Sequence, residues 1–201
     1  MSAGPYAEGA VDWTGENPGL YLKDDPAGPW LSLASLFRIN WSPHGNGNAL
    51  VLLEDPSGTR PGAVNLCLTD NEPMARWLVA GFLSHFAAFR DRPLLAALEC
   101  RPLEHLARSG DGLHRHVESA RGGGVAVELR WERLGTPYAV DFPPSLTATG
   151  RHRMYSLFMD SNEAAILLDG RTLPGRVMPR PVAGRESRSA FLAFSETWVR
   201  A

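Results

Sequence analysis

Three residues with metal-ligand chemistry recur at every second position in LHRHVESA: His114, His116 and Glu118. Side chains alternate along a strand, so the three would project from one face. Two imidazoles and a carboxylate there can hold a divalent ion such as Zn²⁺ or Fe²⁺ with coordination positions left open. A divalent metal is the one cofactor that this spacing suggests. The turn RGGG that follows decides which way the face looks. A two-residue loop at Gly122-Gly123 pairs Arg121 with Gly124 and sets the three residues opposite Trp131, Leu129 and Val127, on an apolar inward side. A three-residue loop from Gly122 to Gly124 pairs Arg121 with Val125 and sets them opposite Glu132, Arg130 and Glu128. The first register makes a site and the second a solvated ladder of charges; the sequence leaves both open.

A strand-borne His-x-His resembles the motif of the cupin family. That family's glutamate falls later, where this chain has Ala120 and Arg121, and no second cupin motif is present, so the resemblance covers a few residues and implies no membership.

Glu196 is the second candidate. Strict alternation through SAFLAFSETWV places it on one face with Leu192, Phe194 and Trp198. A carboxylate among apolar groups has its pKa raised by desolvation and suits general acid or base work, whereas a structural ion pair with Arg38 or Arg130 would keep it charged. The arginines at 171, 176, 180, 185 and 188 run through a Pro/Gly-rich stretch and either clamp an anionic ligand or remain solvated. His85 falls on an apolar helix face, and Tyr155 and Asp160 fall on opposite faces of their strand, so neither group reads as catalytic. Cys67 and Cys100 form no CxxC pair and no disulfide framework and read as buried thiols in a reducing compartment. There is no GxSxG, no P-loop, and no GxGxxG between a strand and a helix. RGGGVAV joins two antiparallel strands, so the hydrolase, nucleotide-phosphatase and nicotinamide-enzyme classes lose their usual signatures.

The best-marked element is a helix over 70–90. Met74, Trp77, Leu78, Gly81, Phe82, His85, Phe86 and Phe89 recur at steps of three and four, Thr69 and Glu72 have capping-box spacing, and Arg92-Pro93 ends the pattern. Around it the chain reads as strands: from Leu36 to Trp41, ALVLLED, AVNLCL, LHRHVESA with VAVELRWERL, GTPYAVDFPP, RMYSLFMD with EAAILLDGR, and SAFLAFSETWV. Residues 94–108 fit a short helix broken before Pro102 or an edge strand, with strand preferred. Residues 1–29, rich in Gly, Pro and acidic residues with no sustained period, read as an irregular N-terminal arm, and residues 30–201 as one β-rich domain. The expected fold is mainly β (α+β): an antiparallel barrel-like or strongly curved sheet with one amphipathic helix packed on it. As a class this resembles calycin-type barrels. Runs such as Leu50 to Leu53 are apolar at successive positions, as expected where both faces of a strand are covered.

Hydrophobic residues make up 44% of the 201 residues and charged residues 21%, as in ordinary globular chains. The net charge of −2 gives no general electrostatic reason to bind nucleic acid or an anionic membrane, and the N-terminus lacks a charged segment followed by an apolar one, so a cytoplasmic protein is expected. Oligomeric state is not fixed by these features. The expected function is binding of a small, largely apolar and anionic-ended ligand within the sheet, lined by Trp41, Trp131 and Trp198 with Arg38 or Arg130 at the mouth. The rival is an isomerase, hydratase, cyclase or lyase on such a ligand, using Glu196 as acid or base or a metal at His114, His116 and Glu118.

Overall fold

A computed structural model describes residues 8–182 and 184–200. They form a mainly β structure with a large curved sheet and, among the described residues, one α-helix. The strands of its first part are β1 (Ala10–Glu16), β2 (Gly19–Leu22), β3 (Ser32–Trp41), β4 (Gly47–Leu53) and β5 (Asn65–Thr69), followed by helix α1 (Glu72–Gly81). Next come β6 (Glu99–Pro102), β7 (His105–Gly110), β8 (Arg115–Gly122), β9 (Val125–Leu134), β10 (Tyr138–Phe142) and the long β11 (His152–Leu168). The chain closes with β12 (Arg171–Thr172), the separate hairpin of β13 (Pro179–Val182) and β14 (Arg185–Arg188), and β15 (Ala190–Arg200).

Strands run across the sheet in the order β6-β5-β4-β3-β1-β15-β11-β9-β8-β7. Neighbours are antiparallel except β5 and β6. The curvature brings the two ends together: Leu103 N–H donates to Thr69 O and Glu104 N–H to Arg121 O, each at 2.9 Å. Gly122 is required at this junction, since a Cβ there would lie 2.0 Å from the Pro102 carbonyl oxygen. One sheet face carries Leu20, Leu36, Leu50, Leu52, Leu129 and Trp131, which pack on one another inside the curve. The other carries Trp13, Phe37, Val51 and Trp198 against Met74, Leu78 and Phe82 of the helical layer. The successive apolar residues of β4 follow directly, because each face of that strand meets its own core.

Four expectations are corrected. Residues 10–22 are not an irregular arm: β1 lies between β3 and β15, and Trp13 is fully buried, stacked on Trp198 with ring centroids 6.0 Å apart. Its period is hidden because polar Asp12 is buried, Gly15 has no side chain, and the register shifts twice along the strand. A Cβ on Gly15 would stand 2.1 Å from Arg38 O, so only glycine fits there. Residues 1–7 of the expected arm lie outside the described residues.

The helix is shorter than 70–90, spanning Glu72–Gly81. Phe82 leaves helical geometry at φ −132° and the chain continues as a 3-10 turn over Leu83–His85, so Phe86 and Phe89 reach the core from irregular backbone. Its cap is Asn71, whose side chain accepts from Met74 N–H at 3.1 Å, while Thr69 Oγ1 accepts from Asn71 N–H at 3.0 Å. Residues 94–108 are both alternatives in turn: a 3-10 turn over Pro93–Ala97, then β6 and the start of β7. Finally, the β8–β9 loop is Gly123-Gly124, with Gly122 opposite Val125 and Arg121 opposite Ala126. No helix among the described residues is long and apolar enough to cross a membrane.

Candidate functional site

The β8–β9 register keeps the parity of the inward alternative but displaces the pairing by two residues: His116 opposes Trp131 and Glu118 opposes Leu129. Both side chains are buried. His114 precedes the strand; its side chain is 83% exposed, with Nδ1 3.0 Å from Asp111 Oδ2. The expected set of three metal ligands is therefore not assembled. His116 Nε2–H donates to Glu118 Oε1 at 3.0 Å, and the same carboxylate receives Arg38 Nη2 and Arg108 Nε at 3.0 Å each. Arg108 also pairs with Glu16. Burial alone would raise the Glu118 pKa, but the His116 hydrogen bond and the two guanidinium charges outweigh it and hold the carboxyl below its ordinary value. With its lone pairs committed to three donors, Glu118 acts as the centre of a structural cluster beneath Phe194 and Trp131. Among the described residues no group of three or more His, Cys, Asp or Glu side chains is placed to hold a metal ion.

The proposed ligand-lining residues separate as well. Trp131 is fully buried in the inner core, where its indole N–H donates to Gly19 O at 3.3 Å, and Trp41 is 50% exposed at the end of β3. Arg38 belongs to Glu118, and Arg130 pairs with Glu128. Trp198 lines a pocket, and Glu196 lines the same one, whereas neither Trp41 nor Trp131 borders it.

That pocket lies on the helix-layer side of the sheet, with a volume of about 150 Å³. Tyr21, Phe86, Phe142, Phe158, Phe191 and Trp198 supply aromatic walls; Asn17, Arg180 and Glu196 supply the polar groups; Ala87, Leu146, Thr147, Ala148 and Met154 complete the lining. Glu196 arrives there through a bulge. Ser195 adopts φ +51° and the β11–β15 register shifts between Tyr155 and Leu157, so Leu192 and Phe194 stay with the inner core while Glu196 and Trp198 turn to the other face. Unbroken alternation, which predicted all four on one face, fails at that single residue.

Glu196 is 3% exposed and makes no ion pair among the described residues. Its Oε1 accepts from Trp198 Nε1–H at 2.6 Å. Burial pushes its pKa up to about 8, the Trp198 hydrogen bond opposing only in part, so at neutral pH the carboxyl is mostly protonated and can donate. Nearby, burial also pushes the Tyr21 phenol up to about 12. Arg180 of β13 lies over the wall, its guanidinium carbon 4.2 Å from the Phe191 ring centroid and 5.6 Å from that of Tyr21. Its Nε is buried and has no hydrogen-bond partner among the described residues. Periodicity marks Arg180 only as one of five arginines in a loop-like stretch, so the sequence shows the arginine type and not the member that turns inward.

A second polar cluster, absent from the sequence reading, backs the pocket. His152 is fully buried; its Nδ1 is 2.7 Å from Thr149 Oγ1 and its Nε2 is 2.7 Å from Asp12 Oδ2, while Arg200 Nη2 donates to Asp12 Oδ1 at 2.7 Å. Burial outweighs the Asp12 contact and lowers the His152 pKa. The imidazole packs on Phe82 and Trp198, at 5.0 and 5.7 Å between centroids, and so fixes the Trp198 wall. Thr149 does not line the pocket, which sets this hydroxyl–imidazole–carboxylate row apart from any ligand there. No protein-family model, no curated protein and no solved structure matches the chain, so its function is read from these sites themselves.

Proposed function

We propose that the protein binds a small carboxylic acid with an apolar body, seated in the Glu196–Arg180 pocket. The observation that carries this reading is the buried Arg180 Nε, which has no partner among the described residues and is set in a largely aromatic wall. A buried donor left unmade costs free energy, and a ligand carboxylate would satisfy it. The volume of about 150 Å³ suits a single aromatic ring with its carboxylate. Protonated Glu196 adds a neutral donor that would not repel the anion. The ligand belongs on the helix-layer face, because the inner face is filled by Leu36, Leu52, Leu129 and Trp131. The junction of the sheet's end strands at Leu103 and Glu104 supports a barrel-like, calycin-like description of the sheet, with the binding function carried outside its interior.

Titration with benzoate and phenylacetate, read by tryptophan fluorescence, tests this. A saturable change is expected, weakened in Arg180→Met by about 10- to 100-fold, the worth of a charged hydrogen bond. Failure of both acids to give a saturable change, or an unaltered affinity in Arg180→Met, would contradict it.

A second reading makes the same pocket catalytic. Its support is a carboxyl with a pKa of about 8 lining a ligand-sized cavity, suited to general acid or base work in an isomerase, hydratase, cyclase or lyase. On that reading Glu196→Gln keeps carboxylate binding and abolishes turnover, whereas undiminished turnover would remove Glu196 from the mechanism.

A further inference from the structure

A larger pocket of about 440 Å³ opens on the opposite stretch of the helical layer and shares no lining residue with the carboxylate pocket. Val79, Ala80, Leu95 and Leu98 line it, with Arg76 and Arg92 at its polar side, and both cysteines of the chain border it. Cys67 of β5 and Cys100 of β6 are register partners in the parallel pair, so their side chains leave the sheet side by side on one face. Cys67 is buried and Cys100 half-buried. Strand neighbours stand about 4.8 Å apart, inside the Cα range that a disulfide spans, although their Cβ atoms must close slightly. β6 can supply that movement, being a four-residue strand at the end of the sheet order.

We propose that Cys100 is the reactive thiol of a second site, in which an organic hydroperoxide with an apolar body oxidises Cys100 and Cys67 then closes the product to a disulfide. The Cys100 sulfur attacks the terminal peroxide oxygen and the O–O bond breaks. Sulfur loses two electrons to that bond, becoming a sulfenic acid, and the departing alkoxide takes up the thiol proton and leaves as the alcohol. The Cys67 thiol next attacks the sulfenic sulfur; an S–S bond forms, the S–O bond breaks and water leaves. An external dithiol restores both thiols by exchange.

The roles follow from the geometry. Both cysteines border the pocket, but Cys100 is half-buried and open to attack whereas Cys67 is fully buried and shielded from it. The Cys67 hydrogen bond, helped by the Arg76 charge, lowers the Cys100 thiol to about 7, which favours its thiolate, while Cys67 is raised. The apolar lining is far larger than hydrogen peroxide needs and suits a hydrocarbon substituent. The Cβ closure that the disulfide requires keeps it reducible.

The test is stoichiometric cumene hydroperoxide on the reduced protein, followed by acid quench, thiol alkylation and peptide mass mapping. Both thiols should be lost together, with an intramolecular Cys67–Cys100 crosslink, release of the alcohol and full recovery in dithiothreitol. Cys67→Ala should stop at a sulfenic acid on Cys100 that dimedone traps, and Cys100→Ser should leave Cys67 unmodified. If Cys67→Ala does not fold, wild type against Cys100→Ser still decides. Two alkylatable thiols persisting in the wild type, Cys67 oxidation undiminished in Cys100→Ser, or hydrogen peroxide acting as fast as cumene hydroperoxide would each overturn the proposal.

Discussion

Folding moves the Glu196 pKa from 4.5 to about 8, so between those values the folded chain keeps a proton that the unfolded chain releases. The sign follows directly. The contribution of this group to stability is greatest below pH 4.5 and declines as pH rises through the window, by on the order of 3 kcal/mol at pH 7. Glu196→Gln removes the titration while keeping an acceptor for Trp198. Thermal melts should therefore show the variant gaining on the wild type as pH rises from 5 to 8, with little difference near pH 4; parallel curves across that range would mean that Glu196 is ionised in the fold. His152 titrates in the opposite sense. Its lowered pKa makes the unfolded state the better proton acceptor, so stability is lost as pH falls through 6.5, and His152→Gln should flatten that acid limb in the same melts. At this scale the sequence was legible in part. Glu196 stood out as a carboxylate in an apolar strand, and His116 and Glu118 as inward residues in one of two registers. His152 and Asp12 carried no such signal, because their partners are 140 residues apart.

At the scale of elements, one left-handed residue decides where the site lies. Ser195 at φ +51° is strained for an L side chain, so Ser195→Gly should leave the bulge in place and raise stability by up to about 1 kcal/mol in denaturant titration. Deleting Ser195 removes the bulge and sets Glu196 directly after Phe194, so regular alternation keeps Glu196 and Trp198 on the helix side with Phe191 and Ala193, and that variant should retain carboxylate binding. Loss of carboxylate binding in a deletion variant that still folds would show that Ser195 is not merely the extra residue that brings Glu196 to this face. The alternating strands and the helix start were readable from period and turn chemistry. The bulge was not, since serine at that position looks like any exposed strand residue. The helix end was missed for a related reason: Phe82, Phe86 and Phe89 keep helical spacing in sequence, yet reach the core from a 3-10 turn and irregular chain.

Across the whole molecule, the sheet separates an inner core from a helix-side core, and β1 belongs to the second through Trp13. Trp13 contacts Phe37, Phe82 and Trp198 edge-on or stacked, at 5.8 to 6.0 Å between centroids, so Trp13→Ala should cost about 3–5 kcal/mol and a chain lacking residues 1–22 should fail to fold. An irregular arm would predict near-normal stability for both. The β-rich class was readable because each strand carries its own alternation. The place of β1 between β3 and β15 was not, since it depends on pairings with residues far along the chain. The central claim for the molecule remains that the helix-side pocket takes a carboxylate on Arg180. The most direct measurement is the ¹⁵N–¹H correlation of the Arg180 Nε group, assigned by its loss in Arg180→Met, followed during titration with benzoate and with benzyl alcohol. A saturable downfield shift with benzoate and none with the alcohol is the predicted result. An Nε–H signal that stays in place while benzoate binds elsewhere would contradict the account.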